Sequence, residues 1–376
     1  MASHNTGSPG SRRHLITGAG LAAGVAIFGP SAPASAEEPA TAEPALVVVK
    51  PSGKTTGADD SANIAAALAL TSGLPGVEVH LAPGDFYINT PIVLGSNKRL
   101  FGAGAQATRI NQVGTGHGIV LKPEGALNYV TVSGLSVVGN GSAGSCGIYF
   151  APYSGVATRA EFGGLSNITI EDSVAKGWGD CGVVLVGAMA SRITRVQATE
   201  NGGNGFYVTF ARWDGDSSVV SAATSLAFEA CYARENGKNG YELDTVSYST
   251  LNACAADCGR IGTRGYALFN CNAVTLTSCG AEEFVTEGFL FQVCTSCAVH
   301  GAYTWQGKSV GIHIGTRTTY QTIGGAVQHS PAAGTTNFIK SEAGTSAVVW
   351  GVSRPATTGA STNTFLGKVT NLDGSA

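Results

Sequence analysis

Apolar and polar residues alternate in short stretches that recur along the chain, and each stretch begins with a glycine. The first and third residues after the glycine are apolar, as in Gly240-Tyr241-Glu242-Leu243. Because alternate side chains of a strand lie on opposite faces, these two positions are predicted to point into a core, and the second and fourth to point outward. The stretches begin at Gly118, Gly147, Gly182, Gly205, Gly240, Gly265, Gly288 and Gly311.

The spacing of these glycines indicates a fixed repeat. Successive intervals are 29, 35, 23, 35, 25, 23 and 23 residues, so four fall between 23 and 25 and two exceed 23 by 12. Each unit has a second apolar segment, such as Leu226-x-Phe228, before its glycine. Two or three short strands per unit are too few for a propeller blade, and no leucine-rich signature is present. The repeat predicts an all-β fold, a single-stranded parallel β-helix in which each strand pairs with its counterpart one coil away.

The segment before the repeat predicts a cap for the end of this stack. Asp60 begins an Ala-rich stretch with Ile64 and Leu68 on one side, which predicts a helix with Asp60 as its N-cap. Two strand-like segments follow, Val79–Tyr87 with an L-A-P-G-D-F-Y sequence and Leu100–Gly104 with L-F-G-A-G. Such a helix would cover the open end of the stack.

This opening resembles that of the pectate-lyase-like superfamily. Members begin with a capping helix, an x-L-P-x-G-x-Y strand and an L-x-G-x-G segment, and the resemblance covers roughly residues 47–320. It implies a right-handed parallel β-helix with an N-terminal capping helix. It does not imply one activity, because the superfamily hosts many chemistries.

The first residues are similar to a bacterial twin-arginine export signal. Arg12 and Arg13 precede a mild apolar run, and small residues at Ala34-Ser35-Ala36 offer a cleavage site. We therefore expect a signal peptide at 1–36, a flexible lead-in at 37–46 and a secreted protein. The apolar run is too short to span a bilayer, so the mature form is expected to have no membrane partner.

The repeat fades after about Arg317. Strand-like pieces rich in Thr, Gly and Ala follow, including Ala347–Trp350 and Thr364–Gly367. We interpret 321–376 as a C-terminal β cap or an oligomer contact. The sequence does not choose between them, so a homo-oligomer stays open.

Composition excludes several classes of protein. Of 376 residues, 43% are hydrophobic and 12% charged, which does not fit a disordered chain. The 22 Lys and Arg residues face 25 Asp and Glu, so the basic surface of a nucleic-acid binder is missing. The 53 glycines follow no G-X-Y period, which excludes collagen.

Nine cysteines leave three interpretations. The C-x3-C spacing of Cys254 and Cys258 is compatible with a zinc site, and one or two disulfides are an alternative. The repeat favours buried thiols, because free cysteine is among the most buried residue types. Equivalent positions hold Cys231, Cys254 and Cys279 in one column and Cys271 with Cys294 in another.

Two repeated polar patterns are interpreted as structural. Asn-Gly turns recur at Glu200–Gly205 and Glu235–Gly240, where tight coil corners need them. The position five residues before the glycine is charged in four coils and predicts a solvated ladder, with Arg260 between Glu235 and Glu283. These four residues are Glu200, Glu235, Arg260 and Glu283.

The outward positions after the glycine hold the candidate chemistry. Glu242 and Asp244 project from one strand, and Tyr207 lies at the position equivalent to Glu242 one coil away. The two intervals that exceed 23 by 12 contain insertions just after this strand, at Pro152–Gly164 and Arg212–Thr224. These insertions would form the walls of an open groove suited to a polymer. The second insertion contributes Arg212, Trp213, Asp214 and Asp216.

These residues suggest two mechanisms of polysaccharide cleavage. Glu242 and Asp244 would divide the acid and base roles of glycoside hydrolysis. Alternatively, Asp214, Asp216, Glu242 and Asp244 would bind calcium for a lyase. Tyr207 or Arg212 would then be the base, a role that Arg has in calcium-dependent members of the superfamily. The residues predicted to contact substrate are Trp213, Asp214, Asp216, Tyr149 and His313.

We therefore expect a secreted enzyme that cleaves an extracellular polysaccharide. A glycan-binding adhesin without catalysis, and a sugar epimerase or transferase, are the alternatives. Motifs of two relatives do not carry over: Gly179-Asp180-Cys181-Gly182 lacks the second aspartate of the polygalacturonase G-D-D-C, and the D-P-H-[DE] motif of mannuronan epimerases is absent.

Overall fold

The structure is a computed structural model. It describes residues 46–70, 78–330, 332 and 337–353 in full, and the backbone of four further short strands. The predicted signal peptide and nearly all of the predicted lead-in lie outside the fully described residues, so export remains a prediction. Among the described residues no helix is long and apolar enough to cross a membrane.

The chain forms a right-handed parallel β-helix of about 11 turns, which confirms the predicted fold class. Three long sheets run along it, and we number them in the order in which each coil meets them. Within a coil, the chain passes from sheet 1 through sheet 2 to sheet 3. From Leu46–Val49 onward, the strand pairs within these sheets are parallel.

The strands of the sheets have the following bounds. Sheet 1 contains His14–Ile16, Val25–Gly29, Leu46–Val49, Glu78–Leu81, Arg99–Phe101, Thr131–Ser133, Thr169–Glu171, Arg192–Thr194, Ala227–Glu229, Thr250–Asn252, Thr275–Thr277, Ala298–His300, Gln321–Gly324, Ser346–Trp350 and Lys368–Asn371. Sheet 2 contains Gly84–Ile88, Thr108–Gln112, Ser136–Val138, Val174–Lys176, Gln197–Thr199, Tyr232–Arg234, Ala255–Asp257, Gly280–Glu282, Tyr303–Trp305 and Val327–His329. Sheet 3 contains Ile92–Leu94, Ile119–Leu121, Ile148–Phe150, Val183–Val186, Phe206–Thr209, Asn239–Asp244, Arg264–Phe269, Glu287–Gln292, Val310–Ile314, Asn337–Ser341 and Thr362–Phe365.

Two smaller sheets complete the fold. Sheet 4 lies between sheets 3 and 1 in five coils, with strands Leu127–Asn128, Leu165–Ser166, Ala188–Met189, Ala223–Thr224 and Val246–Ser247. An antiparallel hairpin pairs Ala211–Trp213 with Asp216–Ser221 inside the second insertion.

The repeat glycines mark the start of the sheet 3 strands, in the predicted register. Tyr207 pairs with Glu242, and Glu242 pairs with Ala267 in the next coil. The first and third positions point inward as predicted, and Tyr241 and Leu243 are fully buried. Inner rings stack from coil to coil at centroid distances of 4.8, 4.8 and 4.7 Å, in the order Phe206, Tyr241, Tyr266, Phe289.

Close packing between sheets 2 and 3 explains why these positions are glycine. A Cβ on Gly240 would lie 2.6 Å from the Cβ of Ala256 in sheet 2 and 2.8 Å from the carbonyl oxygen of Gly265. Both distances are below ordinary contact, and the neighbours are a short side chain and backbone that cannot move aside. A side chain at this position would push sheets 2 and 3 apart, so the close packing of the coil requires glycine there.

The first asparagine of each Asn-Gly segment forms a hydrogen-bonded corner between sheets 2 and 3, which agrees with the predicted structural role. Asn201 and Asn236 are buried, and Asn201 Nδ2 donates to Asn236 Oδ1 at 2.9 Å. Asn201 Oδ1 accepts from the backbone N–H of Trp178 at 3.1 Å. The Asn201 side chain thus forms hydrogen bonds with the coils on both sides of it.

The charged position before these corners is a left-handed turn. Glu200, Glu235, Arg260 and Glu283 have φ of 55°, 51°, 64° and 51°. Arg260 forms the predicted ion pair with Glu283 at 3.1 Å. Glu235 instead pairs with the adjacent Arg234 at 2.7 Å, so the ladder is discontinuous.

One helix, α1 (Ala58–Leu70), lies against the first coil and packs on Leu46–Val49 and Gly84–Ile88. Ile64 and Leu68 are buried as predicted. Asp60 is the third residue of α1, and its prediction as N-cap is wrong. Its buried carboxylate accepts from the backbone N–H of Ser52 and of Tyr87, both at 2.8 Å, because it joins the cap to the first coil.

All nine cysteines are free and buried, which agrees with the favoured interpretation. In the predicted inner columns, thiols donate to backbone carbonyl groups: Cys231 to Ile193 at 3.3 Å and Cys279 to Leu251 at 3.4 Å. Cys146 and Cys181 lie outside this core, in a separate cluster.

The coils continue beyond residue 320. Gln321–Gly324 and Ser346–Trp350 extend sheet 1, and Asn337–Ser341 extends sheet 3. The boundary predicted there therefore does not separate two sheet systems. An oligomer contact in this region stays a prediction.

Candidate functional site

The outer face of sheet 3 carries three columns of side chains, one residue per coil in each. The first column is the residue immediately before each of the first seven repeat glycines, from Gly118 to Gly288. The other two columns are the second and fourth residues after each of the last seven, from Gly147 to Gly311. The first column holds His117, Cys146, Cys181, Asn204, Asn239, Arg264 and Glu287. The second holds Tyr149, Val184, Tyr207, Glu242, Ala267, Leu290 and His313, and the third holds Ala151, Val186, Thr209, Asp244, Phe269, Gln292 and Gly315.

Glu242 is held by two amides of the first column. Asn239 Nδ2 donates to Glu242 Oε2 at 2.7 Å, and Asn204 Nδ2 donates to the same oxygen at 3.0 Å. Both Asn side chains are buried, each with about 5% of its residue surface exposed. Asn239 Oδ1 is buried and has no hydrogen-bond partner among the described residues. Leaving a buried acceptor without a partner costs free energy. The Asn239 amide is thus oriented so that its nitrogen donates to Glu242 while its oxygen stays unpaired.

Asp244 lies two residues further along the same strand and is also half-buried. Its Oδ1 accepts from the hydroxyl of Thr245 at 2.9 Å and from Asn270 Nδ2 at 3.2 Å. The Cα atoms of Glu242 and Asp244 are about 6.6 Å apart, since a strand rises about 3.3 Å per residue. The two carboxylates thus share a face, and neutral donors hold each of them.

Tyr207 lies beside Glu242 on the adjacent strand, as the repeat predicted. Burial raises the pKa of the Tyr207 hydroxyl, and the charges of Glu242 and Asp244 raise it further. A phenol with a raised pKa keeps its proton at neutral pH. Tyr207 is therefore suited to donate a hydrogen bond and poorly suited to act as a base.

The second insertion packs on the first one. Trp213 Nε1 donates to the carbonyl oxygen of Val156 at 3.1 Å, and the backbone N–H of Asp214 donates to Ser154 at 3.1 Å. The Arg212 guanidinium lies 4.8 Å from the ring centroid of Phe210. The half-buried Trp213 indole is thus partly used to join the two insertions.

The four carboxylates suggested for calcium are not gathered into one site. Asp216 is exposed and accepts hydrogen bonds from Ser218 at 2.9 and 2.7 Å. In the part of the chain that the structure describes, a different set of residues brings three potential metal ligands together. These are Cys146, Asp180 and Cys181, whose ligand atoms all lie within 4.8 Å of one another. A calcium site would need a rearrangement of the hairpin.

His313 forms a second polar cluster that the sequence analysis did not find. Its Nε2 lies 3.0 Å from Glu342 Oε1 and its Nδ1 lies 3.3 Å from Glu287 Oε1, with only 12% of the side chain exposed. Arg264 Nε donates to Glu287 Oε2 at 2.7 Å. Burial alone would raise the pKa of Glu287, but hydrogen bonds from His313 and Thr286 and the Arg264 guanidinium lower it to about 2.

The N-terminal part of the same face is apolar. Tyr149 stacks on His117 with centroids 4.6 Å apart and rings 7° from parallel. Val184 is buried although it points outward, because it packs with Cys146 and Cys181. The hydrogen bond between the two thiols lowers the pKa of Cys146 to about 6, with a further contribution from His117 and against the effect of burial.

The recurrence of the first column is visible in the sequence, but its outward direction is not. The residue before each of the first seven repeat glycines is polar or a thiol. Strict alternation would place this position on the inner face, together with the first and third residues after the glycine. The strand departs from alternation at the glycine, since a Cβ on Gly240 would also face the core, beside Ala256. The sequence analysis looked for chemistry only at the outward positions after the glycine and interpreted the segments that contain Asn204 and Asn239 as structural turns. It therefore missed Asn204, Asn239, Arg264 and Glu287.

Two cavities lie on other faces. One of about 570 Å³ lies on the outer surface of sheet 1, with Arg99, Tyr129 and Arg192 in its wall. The other, of about 460 Å³, lies on sheet 2 between Arg109 and Arg234. Arg99, Arg109 and Arg234 are each paired with a carboxylate. Carboxylates also line both cavities, Glu171 in the first and Glu200 in the second.

The fold is shared with solved structures at low sequence identity. ORF18 of Geobacillus virus E2 matches with a TM-score of 0.62 and 15% identity, over 78% of this chain and 61% of that chain. The catalytic unit of a thermostable GH87 α-1,3-glucanase from Streptomyces thermodiastaticus matches with a TM-score of 0.60 and 13% identity, over 91% of this chain and 69% of the other. The A-module of the Azotobacter vinelandii mannuronan C-5 epimerase AlgE4 matches with a TM-score of 0.55 and 16% identity, over 84% and 94%.

These likenesses concern the β-helix fold. The chain spans 61% of the Geobacillus virus protein, so that protein contains parts with no counterpart here. No protein-family model matches the chain, and no curated protein matches it.

Proposed function

We propose that this protein is a secreted enzyme of the pectate-lyase-like superfamily that cleaves an extracellular polysaccharide on the outer face of sheet 3. The observation that carries the proposal is the fixed Glu242 carboxylate, held by two buried amides beside Tyr207 and on one strand with Asp244. Polar groups held rigidly on strands are the arrangement that a catalytic site needs. Two of the similar structures are named as a glucanase and an epimerase, and these names support a glycan substrate.

Hydrolysis fits these surroundings better than elimination does. A lyase places a uronate carboxylate at the reacting carbon and needs a cation to neutralise it. Glu242 and Asp244 accept hydrogen bonds from neutral amides and a hydroxyl, and Tyr207 lies beside Glu242. The cations Arg264 and Lys340 form ion pairs with Glu287 and Glu342 instead. A uronate bound here would meet two carboxylates of like charge. The site therefore favours a neutral glycan.

In this mechanism Glu242 and Asp244 divide the acid and base roles across the glycosidic bond. One carboxyl group donates a proton to the glycosidic oxygen as the general acid, and the other acts as the base. Tyr207 donates a hydrogen bond to the sugar or to the carboxylate. The stacked coils extend the face on both sides of Glu242, which gives a polymer room to bind.

The test is a product profile on neutral and uronate-rich glycans. We expect new reducing ends from a neutral glycan, without the ultraviolet absorbance of an unsaturated product. That absorbance, lost with a chelator, would instead indicate a calcium lyase. Binding without any product would indicate a glycan-binding module, and inverted uronate residues without cleavage would indicate an epimerase. If Glu242→Gln and Asp244→Asn both retain cleavage, the site lies elsewhere.

Export is a separate part of the proposal. Replacing Arg12 and Arg13 with Lys in the full-length chain is expected to retain the protein inside a bacterial host with a twin-arginine system. Secretion of that variant at the wild-type level would contradict the export signal.

A further inference from the structure

Cys146 and Cys181 differ from the other cysteines in where their side chains point. They occupy the first column of sheet 3 in adjacent coils, on the outer side of the sheet. Each is nonetheless buried, with 2% and 4% of its surface exposed. Val184 and the flanking side chains of Tyr149, Val186 and Tyr207 cover them. The pair is therefore a buried thiol site outside the main core.

A carboxylate completes this pair. One oxygen of Asp180 and the two sulfur atoms all lie within 4.8 Å of one another, and Cys181 Sγ is 3.5 Å from Asp180 Oδ1. Tetrahedral zinc binds thiolate sulfur at about 2.3 Å and carboxylate oxygen at about 2.0–2.2 Å, which places its ligand atoms about 3.5–3.8 Å apart. The three groups need only small movements to reach that spacing.

We propose that Cys146, Asp180 and Cys181 bind one thiophilic divalent cation of the zinc type. Binding releases the two thiol protons, so that the sulfurs bind as thiolates and Asp180 adds a third negative charge. Three protein ligands leave the fourth position of a tetrahedral ion for water. This site is separate from the proposed glycan site and does not depend on it.

Backbone contacts hold Asp180 at the thiols. Its N–H donates to the carbonyl oxygen of Ser145 at 2.9 Å, and its own carbonyl oxygen accepts from the N–H of Gly203 at 2.8 Å. A Cβ on Gly203 would lie 2.2 Å from Asp180 Oδ1, so that glycine leaves room for the carboxylate. Asp180 is thus fixed between the coil of Cys146 and the coil that follows Cys181.

His117 fixes the other side of the pair. Its Nδ1 accepts a hydrogen bond from the backbone N–H of Cys146 at 3.0 Å, and its ring stacks on Tyr149. Groups that orient ligands are a usual part of metal sites. His117 is therefore a positioning residue in this proposal.

The inner thiol columns provide a matched control. Cys231, Cys254 and Cys279 also lie one above another in adjacent coils, and they are equally buried. Each of them donates to a backbone carbonyl oxygen instead of facing a carboxylate. Stacked, buried thiols thus occur both in the inner column and in the Cys146–Cys181 pair. The nearby carboxylate of Asp180 distinguishes the Cys146–Cys181 pair.

The test is metal binding by the reduced, metal-free full chain, with Zn²⁺ and Co²⁺ as the probes. We expect one Zn²⁺ per chain by elemental analysis, a thiolate-to-cobalt charge-transfer absorption, and a raised melting temperature with added Zn²⁺. Cys146→Ser and Cys181→Ser should each abolish the cobalt absorption. Asp180→Asn should weaken binding at least about 10-fold, and the control variant Cys279→Ser should bind as the wild type does.

Three results would overturn the proposal. One is the absence of stoichiometric cation binding by a folded, fully reduced chain. Another is equal cobalt absorption in the wild type and in the Cys146→Ser/Cys181→Ser double variant. The third is a Cys146–Cys181 disulfide that forms in air, combined with no cation binding after its reduction. Circular dichroism checks that each variant is folded.

Discussion

Glu242 and Glu287 lie two coils apart on the outer face of sheet 3, and their surroundings differ in charge. Glu242 accepts from the neutral amides of Asn204 and Asn239. Glu287 lies between Arg264 and His313, with only 14% of its side chain exposed. A carboxylate surrounded by cations is held in its charged form and is occupied by its ion pairs. This difference supports the proposed catalytic role of Glu242 and indicates a structural role for Glu287.

The largest expected effect is on the rate of cleavage. Glu242→Gln should lower the initial rate on a neutral glycan by at least about 100-fold, because general acid–base catalysis contributes about that much or more. Glu287→Gln should leave the rate nearly unchanged at the same temperature. Initial rates of reducing-end release measure both. The reverse result would move the active site to the His313 cluster.

Removing the cation beside Glu287 should affect stability. Arg264→Met leaves a buried carboxylate with less compensation and should lower the free energy of unfolding by about 2 kcal/mol. The control Arg195→Met breaks the exposed pair with Asp172 and should lower the free energy of unfolding much less, because solvent screens that pair. Urea unfolding at neutral pH measures the difference. An equal decrease in the free energy of unfolding in both variants would show that the burial of Glu287 does not strengthen its ion pair with Arg264.

The same cluster predicts a pH dependence. The pKa of Glu287 is lowered from 4.5 to about 2 in the folded state, so its stabilisation is present above pH 4.5 and is lost as the pH falls towards 2. The effect should be about 2 kcal/mol, because solvent screens part of the interaction. Unfolding measured between pH 6 and 2 should show a shallower loss in Glu287→Gln than in the wild type. Parallel curves would contradict the ion-paired state of Glu287.

The smallest effect concerns Tyr207. Since its raised pKa makes it a hydrogen-bond donor, Tyr207→Phe should lower kcat/KM about 10-fold, the value of one hydrogen bond of about 1.4 kcal/mol. Tyr241→Phe, one coil away in the core, is the matched control and should change stability without changing kcat/KM. A loss of activity as large as that of Glu242→Gln would make Tyr207 a catalytic group.

Much of the fold could be predicted from local patterns. The glycine interval placed Tyr207 beside Glu242, and the alternation identified Tyr241 and Leu243 as core residues. Asp60 could not be placed correctly, because its partners Ser52 and Tyr87 belong to segments that only folding brings to the helix. The His313 cluster was missed for a similar reason, since Glu287 and Glu342 approach from coils on either side.

The sequence by itself determined the repeat, the inward and outward positions and the pairing register, because each follows from the period-2 geometry of strands and a constant coil length. The tertiary structure decided which outward groups contact one another across coils. The partners of Glu242, the ion pairs of Glu287 and the approach of Asp180 to Cys181 depend on side-chain rotamers and loop paths. A one-dimensional pattern does not contain those distances, and the chemistry of the face depends on them.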